Sequence, residues 1–292
     1  MLLSQIERTP TLRSTQSESN PMSTPTGPVE ANERITYRTA YEDEHLLVVE
    51  KPTRLVSTPG VGHEHDTLLN GLMARYTKQL TNLGAVRDHG MLHRLDKETS
   101  GLLVVALNQK SYDGLREQFE QRKIKKFYWA ITHKAPRDAE GVIRKSMTDV
   151  VKRASRYTST RTSRVDRNGK TAVTAYRVLH ESALAALIEA RPITGRLHQI
   201  RVHLDSVGAA VLGDRLYGPK IIREAAPRLA LHSHRLCFVH PITGEEVDIR
   251  TQFPRDLRTT MKKMNLPRPE LNPVEPAPSS SPEAITAPNT DE

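Results

Sequence analysis

Three stretches of this 292-residue chain place reactive or rigidly paired groups in turns bounded by glycine. The first is His93-Arg94-Leu95-Asp96-Lys97-Glu98-Thr99-Ser100-Gly101, followed at once by the apolar run Leu102–Ala106. Asp96 is thus a carboxylate just ahead of a buried strand, where Thr99 and Ser100 can hydrogen-bond it or the turn backbone. Taken alone, such an aspartate reads as an Asx turn or a cap. The second stretch is Arg191–Leu204, in which Gly195 precedes the helix-compatible run Arg196-Leu197-His198-Gln199-Ile200-Arg201-Val202-His203-Leu204. On a helix, Ile200 and Leu204 share one face, and His198 and Arg201 are surface neighbours. Arg201 and Asp205, four apart, also have the spacing of an ordinary helix ion pair. The third stretch, Leu212-Gly213-Asp214-Arg215-Leu216-Tyr217-Gly218, reads as a glycine-bracketed turn that orders a loop beside the other two.

Other chemistries fit the residues less well. Twelve histidines invite a metal, but His198 and His203 are five apart, about 140° around a helix. His63 with His65, and His232 with His234, have no carboxylate at a familiar zinc spacing. A metal site is therefore not expected. There is no glycine-rich phosphate loop and no nucleophilic serine or cysteine motif.

The elements that must hold these stretches can be read from apolar patterning. Strands are expected at Leu46–Val49, Leu102–Leu107, Phe127–Thr132, Val173–Leu179 and Leu236–Val239, with Val247–Thr251 continuing after the Pro241–Gly244 turn. Helical patterns cover Asp66–Tyr76, Ser111–Arg122, Arg255–Met264 and, as a further candidate, Arg196–Val207. Ala183–Ala190 is ambiguous: alanine favours a helix, whereas its place between a strand and Arg191-Pro192 suits a strand. Strands with interspersed helices and no regular βαβ alternation imply an α+β fold around a mixed, mostly antiparallel sheet, with flanking helices and a central cleft.

Charge is distributed unevenly. The whole chain carries +9, but residues 35–266 hold 39 basic and 25 acidic side chains, a net of +14. Residues 1–34 are Ser/Thr/Pro-rich with a net of −1, and residues 267–292 are Pro-rich and acidic with a net of −4. Both ends are expected to be disordered tails around one folded unit spanning 35–266, because they cannot bury enough apolar surface to offset ordering entropy. Within that unit Arg122–Lys126 has four basic residues in five positions, and Arg144–Lys170 has nine against Asp149 and Asp166. A solvated charged loop explains any one of these arginines. Nine against two makes a surface that repels itself unless phosphates neutralise it, which points to a nucleic-acid backbone. No apolar run reaches the roughly 18 residues of a membrane span. Polar residues from Ser4 onward leave no room for a signal peptide, and the single Cys237 excludes an intramolecular disulfide. A cytoplasmic monomer is the expectation.

Taken together, His93-Arg94-Leu95-Asp96 with Thr99-Ser100-Gly101 resembles the signature loop of the RluA-type RNA pseudouridine synthases. Four further stretches agree in order: Glu50-Lys51-Pro52 through Pro59-Gly60, Lys125–Ala130 with Tyr128, Thr194–His203, and Gly213–Gly218 with Leu231–Pro241. The resemblance covers about residues 35–258. One departure is Arg54, where members of the family usually have glycine, and it puts the geometry of that turn in question. No S4-type RNA-binding module is read ahead of Ile35.

The resemblance implies a cofactor-free isomerisation of uridine in RNA, either large-subunit rRNA or a tRNA stem-loop. Asp96 is then the essential carboxylate, Arg201 its salt-bridge partner, and Tyr128 a candidate for proton transfer at C5. Ile200 would floor the base, with Leu102 or Leu103 beside it. Arg94 would fill the stack vacated by an extruded base. His198, Arg196 and Thr99 complete the expected substrate contacts. The competing reading is a non-catalytic RNA-binding or ribosome-assembly factor that keeps the fold. It predicts scrambled residues at Asp96, Tyr128 or Arg201, all of which are present.

Overall fold

The computed structural model describes residues 28–153 and 159–271. Residues 1–27 and 272–292 of the two expected tails, and 154–158 of the basic segment, lie outside the described residues. The strands are β1 (Arg38–Glu42), β2 (Leu46–Lys51), β3 (Ser100–Ala106), β4 (Lys125–Thr132), β5 (Glu140–Arg144), β6 (Met147–Arg153), β7 (Ser159–Val165), β8 (Val173–Glu181), β9 (Ala186–Pro192), β10 (Leu231–Val239) and β11 (Glu246–Arg250). The helices are α1 (Leu68–Leu83), α2 (Gln109–Glu120), α3 (Gln199–Ser206), α4 (Lys220–Glu224) and α5 (Arg255–Lys263). Nine strands form one sheet in the order β1-β2-β3-β10-β4-β9-β8-β5, with β11 beside the far end of β10. Within this sheet the short β3–β10 pairing is parallel and the others are antiparallel. The fold is α+β with a mixed, mostly antiparallel sheet. A separate hairpin, β6–β7, stands on the basic segment.

The central strands are continuous apolar runs because both faces of the sheet are covered. All seven residues of β3 are buried. Successive side chains point to opposite faces, so Leu47, Val49, Leu103 and Val105 join α1 in one cluster. Leu46, Val48, Leu102 and Val104 pack with Tyr112 and Leu115 of α2 in another. Both helices begin in reciprocal caps, Thr67 with Asn70 and Asn108 with Ser111, which satisfy otherwise orphaned backbone donors. Helix α1 runs past the expected Tyr76 to Leu83, with non-helical angles at Tyr76. Ala186–Pro192 resolves the ambiguous alanine stretch as a strand, paired on both sides by β4 and β8. Hydrogen bonds also reach beyond 35 and 266: the Asn32 N–H donates to the Asn70 carbonyl, and the Arg250 side chain donates through Nη1 to that of Leu271.

Candidate active site

The loop carrying Asp96 is tied down from three directions. Ser57 Oγ donates to the Leu95 carbonyl at 2.8 Å and accepts the Leu95 N–H at 3.1 Å. Thr53 Oγ1 donates to the Glu98 carbonyl. Beneath them Lys51, fully buried, gives its ammonium to the carbonyls of Pro52, Leu55 and Lys97 at 2.9, 2.6 and 3.3 Å. Burial pulls the Lys51 amine down to about 7, the nearby Asp96 and Glu98 charges opposing it. His93 Nε2 accepts the Val104 N–H, fastening the loop to β3. The turn closes with the Thr99 N–H on the Asp96 carbonyl at 3.0 Å. The loop then enters the sheet at Gly101, whose φ of +119° and proximity to the Ser233 backbone leave no room for a Cβ.

Asp96 emerges from this clamp beside the guanidinium of Arg201, with Nη1 at 3.4 Å, and the imidazole of His198, with Nε2 at 3.9 Å. Arg201 is buried on α3, and its tighter partner is Asp214: Nε and Nη2 reach the two carboxylate oxygens at 2.7 Å each. Asp214 also accepts the N–H groups of Leu216 and Tyr217. The Gly213–Gly218 turn thus supplies the main counter-ion of Arg201, a role its glycines alone did not disclose. Gly213 has a φ of +73°, and a Cβ there would overlap the Arg228 carbonyl. The expected pairing of Arg201 with Asp96 is present as the longer of two contacts, and the i,i+4 pair with Asp205 does not form.

His198 does not lie on the helix surface beside Arg201 as its spacing implied. It is the N-cap of α3 in a left-handed conformation, φ 54° and ψ 23°. Tyr128, on β4 across from Ser233, is buried in the same apolar cluster as Ile200, Leu95 and Leu103. Burial lifts its hydroxyl well above the usual phenol range, and the Asp96 charge adds to this. Leu102 corrects the sequence expectation. It is fully buried in the cluster on the opposite face of the sheet, with α2, because it neighbours Leu103 on a strand and points the other way. Arg196 is also displaced from the cleft: it is exposed, with Nε on the Thr171 carbonyl at 3.1 Å. Thr99 is buried within the turn, and Arg94 is exposed two residues from Asp96.

A cavity of about 390 Å³ opens at Asp96. Its walls carry Arg54, Lys97, Arg161, Arg201, Arg215 and Arg228 against the carboxylates of Asp96 and Glu98. Arg201, Arg161 and Arg228 are engaged by Asp214, Asp149 and Asp256, so the exposed Arg54, Lys97 and Arg215 are the cations of this wall suited to a phosphate backbone. Arg54 has a φ of +64°, so the turn keeps a left-handed conformation with arginine carrying it. Arg161 comes from the β6–β7 hairpin and pairs with Asp149 at 3.0 Å. Nothing in the spacing of Arg215 and Arg228 distinguishes them from solubilising charge, and Arg161 is one of nine basic residues in its segment. Among the described residues, no group of three or more His, Cys, Asp or Glu is placed to hold a metal ion, and no helix is long and apolar enough to cross a membrane.

Comparison with known proteins agrees with this geometry. Residues 45–206 match the RNA pseudouridylate synthase family. The chain is 38% identical over 237 residues to ribosomal large subunit pseudouridine synthase D of Zymomonas mobilis, covering 79% of this chain and 73% of that one. It is 35% identical over 251 residues to the protein of the same name from Nitrosomonas europaea, covering 82% and 69%. Among solved structures it resembles human RNA pseudouridylate synthase domain containing 4, with a TM-score of 0.61 at 26% identity, covering 80% of this chain and 94% of that one. With a matched family, relatives of this similarity and a shared fold, the chain belongs to the RluA-type RNA pseudouridine synthases and is an isomerase.

Proposed function

We propose that the protein isomerises a uridine of large-subunit ribosomal RNA, with Asp96 as the essential carboxylate. The observation that carries this reading is the placement of Asp96 at a cleft with exposed cations on its wall, faced by a buried arginine and an imidazole. The relatives named for the large ribosomal subunit support the choice of RNA. In the reaction the uracil N1–C1′ bond breaks, the base turns, and C5 bonds to C1′. The C5 proton departs and N1 gains one, so the product is an isomer and no cofactor is required. Positive charge develops at the sugar as the glycosidic bond opens, and the Asp96 carboxylate is there as nucleophile or stabiliser. Arg201, locked by Asp214, keeps that carboxylate oriented.

Burial lifts the Tyr128 hydroxyl well above the usual phenol range, and this hydroxyl is the candidate for proton transfer at C5. Ile200 supplies apolar surface beside it. Extrusion of the target base costs a few kcal/mol, and Arg94, exposed on the same loop, is the group to occupy the vacated stack. The hairpin arginines and the cleft cations bind flanking phosphates.

The test is Asp96→Asn and Asp96→Ala in the full chain. Conversion of a ribosomal RNA transcript is expected to vanish while RNA affinity persists. Conversion by a purified Asp96→Ala protein would remove Asp96 from the mechanism. Mapping pseudouridines in RNA from a deletion strain, with and without complementation, identifies the uridine.

A further inference from the structure

His198 occupies a left-handed backbone conformation that is strained for a non-glycine residue, and it does so as a helix N-cap with no side-chain cap hydrogen bond. Such strain persists only where the surroundings fix the side chain. Here the ring is held at one nitrogen and faces a carboxylate with the other. Nδ1 lies 2.9 Å from the Tyr217 hydroxyl, and the two rings meet edge to face at 5.7 Å and 77°. Nε2 faces the Asp96 carboxylate at 3.9 Å.

The hydroxyl of Tyr217 decides which nitrogen carries the proton. It accepts the backbone N–H of Ser163, on β7, at 2.8 Å. A phenol that accepts from an amide still has its own proton to place. The other hydrogen-bond partner of this hydroxyl among the described residues is His198 Nδ1. With the hydroxyl donating to Nδ1, a neutral imidazole carries its proton on Nε2, on the side of Asp96. Burial lowers the affinity of the ring for a second proton. Asp96, Asp214 and Asp149 oppose that effect, and Arg201 adds to it.

Tyr217 also touches the ion pair beside Asp96. Its ring lies under the Arg201 guanidinium, with Cζ 5.0 Å from the centroid, and its backbone N–H binds Asp214. It also packs against Met147, Ala172 and Val202, the small apolar cluster at the base of the hairpin. The hairpin brings Arg161 to the cleft wall.

We propose that Tyr217 is a positioning residue, which couples the seating of the basic hairpin on RNA to the presentation of Asp96. Ser163 docks on the Tyr217 hydroxyl, Tyr217 donates to His198 Nδ1, and His198 offers Nε2–H to the carboxylate. The gap of 3.9 Å closes to hydrogen-bond distance as substrate fills the cleft. RNA gripped by the hairpin thereby steadies the group that acts on the sugar. This inference rests on Asp96 being the acting carboxylate.

The experiment uses the full chain with an unmodified large-subunit rRNA transcript, comparing Tyr217→Phe, His198→Asn and the double variant. Asparagine tolerates the left-handed backbone and leaves the Ser163–Tyr217 contact in place. Each single variant is expected to lower the single-turnover rate at saturating RNA by about tenfold to a hundredfold, with RNA affinity changed less than about threefold. The double variant is expected to be no slower than the worse single one, because both cut the same chain. Nitrogen-15 spectra of histidine-labelled protein, with the His198 signal identified by its loss in His198→Asn, should show the proton on Nε2 in the parent. The His198 signal in Tyr217→Phe should show mixed tautomers. A proton on Nδ1 in the parent, unchanged rates, a loss in affinity alone, or additive effects would each overturn the proposal. The tautomer measurement does not depend on turnover, so it fails separately from the assignment of Asp96. If Tyr217→Phe does not fold, His198→Asn and the spectra of the parent decide the matter.

Discussion

Replacing Asp214 by asparagine keeps the shape of a buried side chain and removes its charge. In the parent, Arg201 and Asp214 are 5% and 1% exposed and joined by two bonds of 2.7 Å. Deleting one charge of such a pair leaves the other uncompensated and costs about 3–5 kcal/mol. Asparagine still offers one acceptor to Arg201 and to the Leu216 and Tyr217 amides, so the lower end applies, about 3 kcal/mol. For a unit of this size each kcal/mol moves the melting temperature by about 2–4 °C, giving a fall of about 6–12 °C by calorimetry. Activity is expected to fall as well, because Arg201 then has Asp96 as its remaining carboxylate partner and draws it from its resting position. A companion variant, Arg201→Met with Asp214→Leu, separates the two effects. An apolar pair of similar volume is expected to recover most of the stability without recovering conversion. A melting shift under about 3 °C with unchanged conversion in Asp214→Asn would refute the assignment of Asp214 as the anchor of Arg201.

Gly101→Ala places a Cβ against the Ser233 backbone at a positive φ and is expected to cost about 3 kcal/mol, read from denaturant midpoints; a neutral result would show that β10 moves freely there. The Lys51 amine sits at about 7 in the folded protein and at 10.5 when unfolded. The unfolded chain therefore binds the extra proton between those values, and stability from this group rises with pH from about 7 upward. Comparing urea midpoints at pH 7 and 9.5 should show a gain in the parent that Lys51→Met lacks. Changing Arg161, Arg164 and Arg167 to glutamine should weaken RNA binding and reduce the slope of log affinity against log salt by about 0.7–0.9 for each phosphate no longer neutralised. An unchanged slope would assign the hairpin to solubility.

Apolar patterning located the strands whose runs are rich in branched and aromatic residues. β2, β3, β4, β8, β10 and β11 all stand where runs of branched and aromatic residues place them. β1, β5, β6 and β7 were not read as strands, and the buried β9 was left ambiguous because its alanines suit a helix as well. β1 alternates exposed and half-buried residues, and β6–β7 reads as charge because one side of the hairpin faces solvent. Their pairing is set by backbone hydrogen bonds and by what lies across the sheet, neither of which a residue's own type records.

The chemistry divides in the same way. Sequence alone determined that the body of the chain is strongly basic, that Asp96 closes a turn before a buried strand, and that the motif set resembles one family. Only the tertiary structure decided that Arg201 is anchored by Asp214, thirteen residues on, with Asp96 as its second contact. It likewise turned Leu102 away from Ile200, displaced Arg196 to the surface, and put the Tyr217 hydroxyl between a hairpin amide and an imidazole. The physical reason is distance. Periodicity reports which face of an element is buried, whereas hydrogen bonds and ion pairs between turns depend on where separate elements cross. Here that crossing is fixed by close backbone approaches such as the one at Gly101.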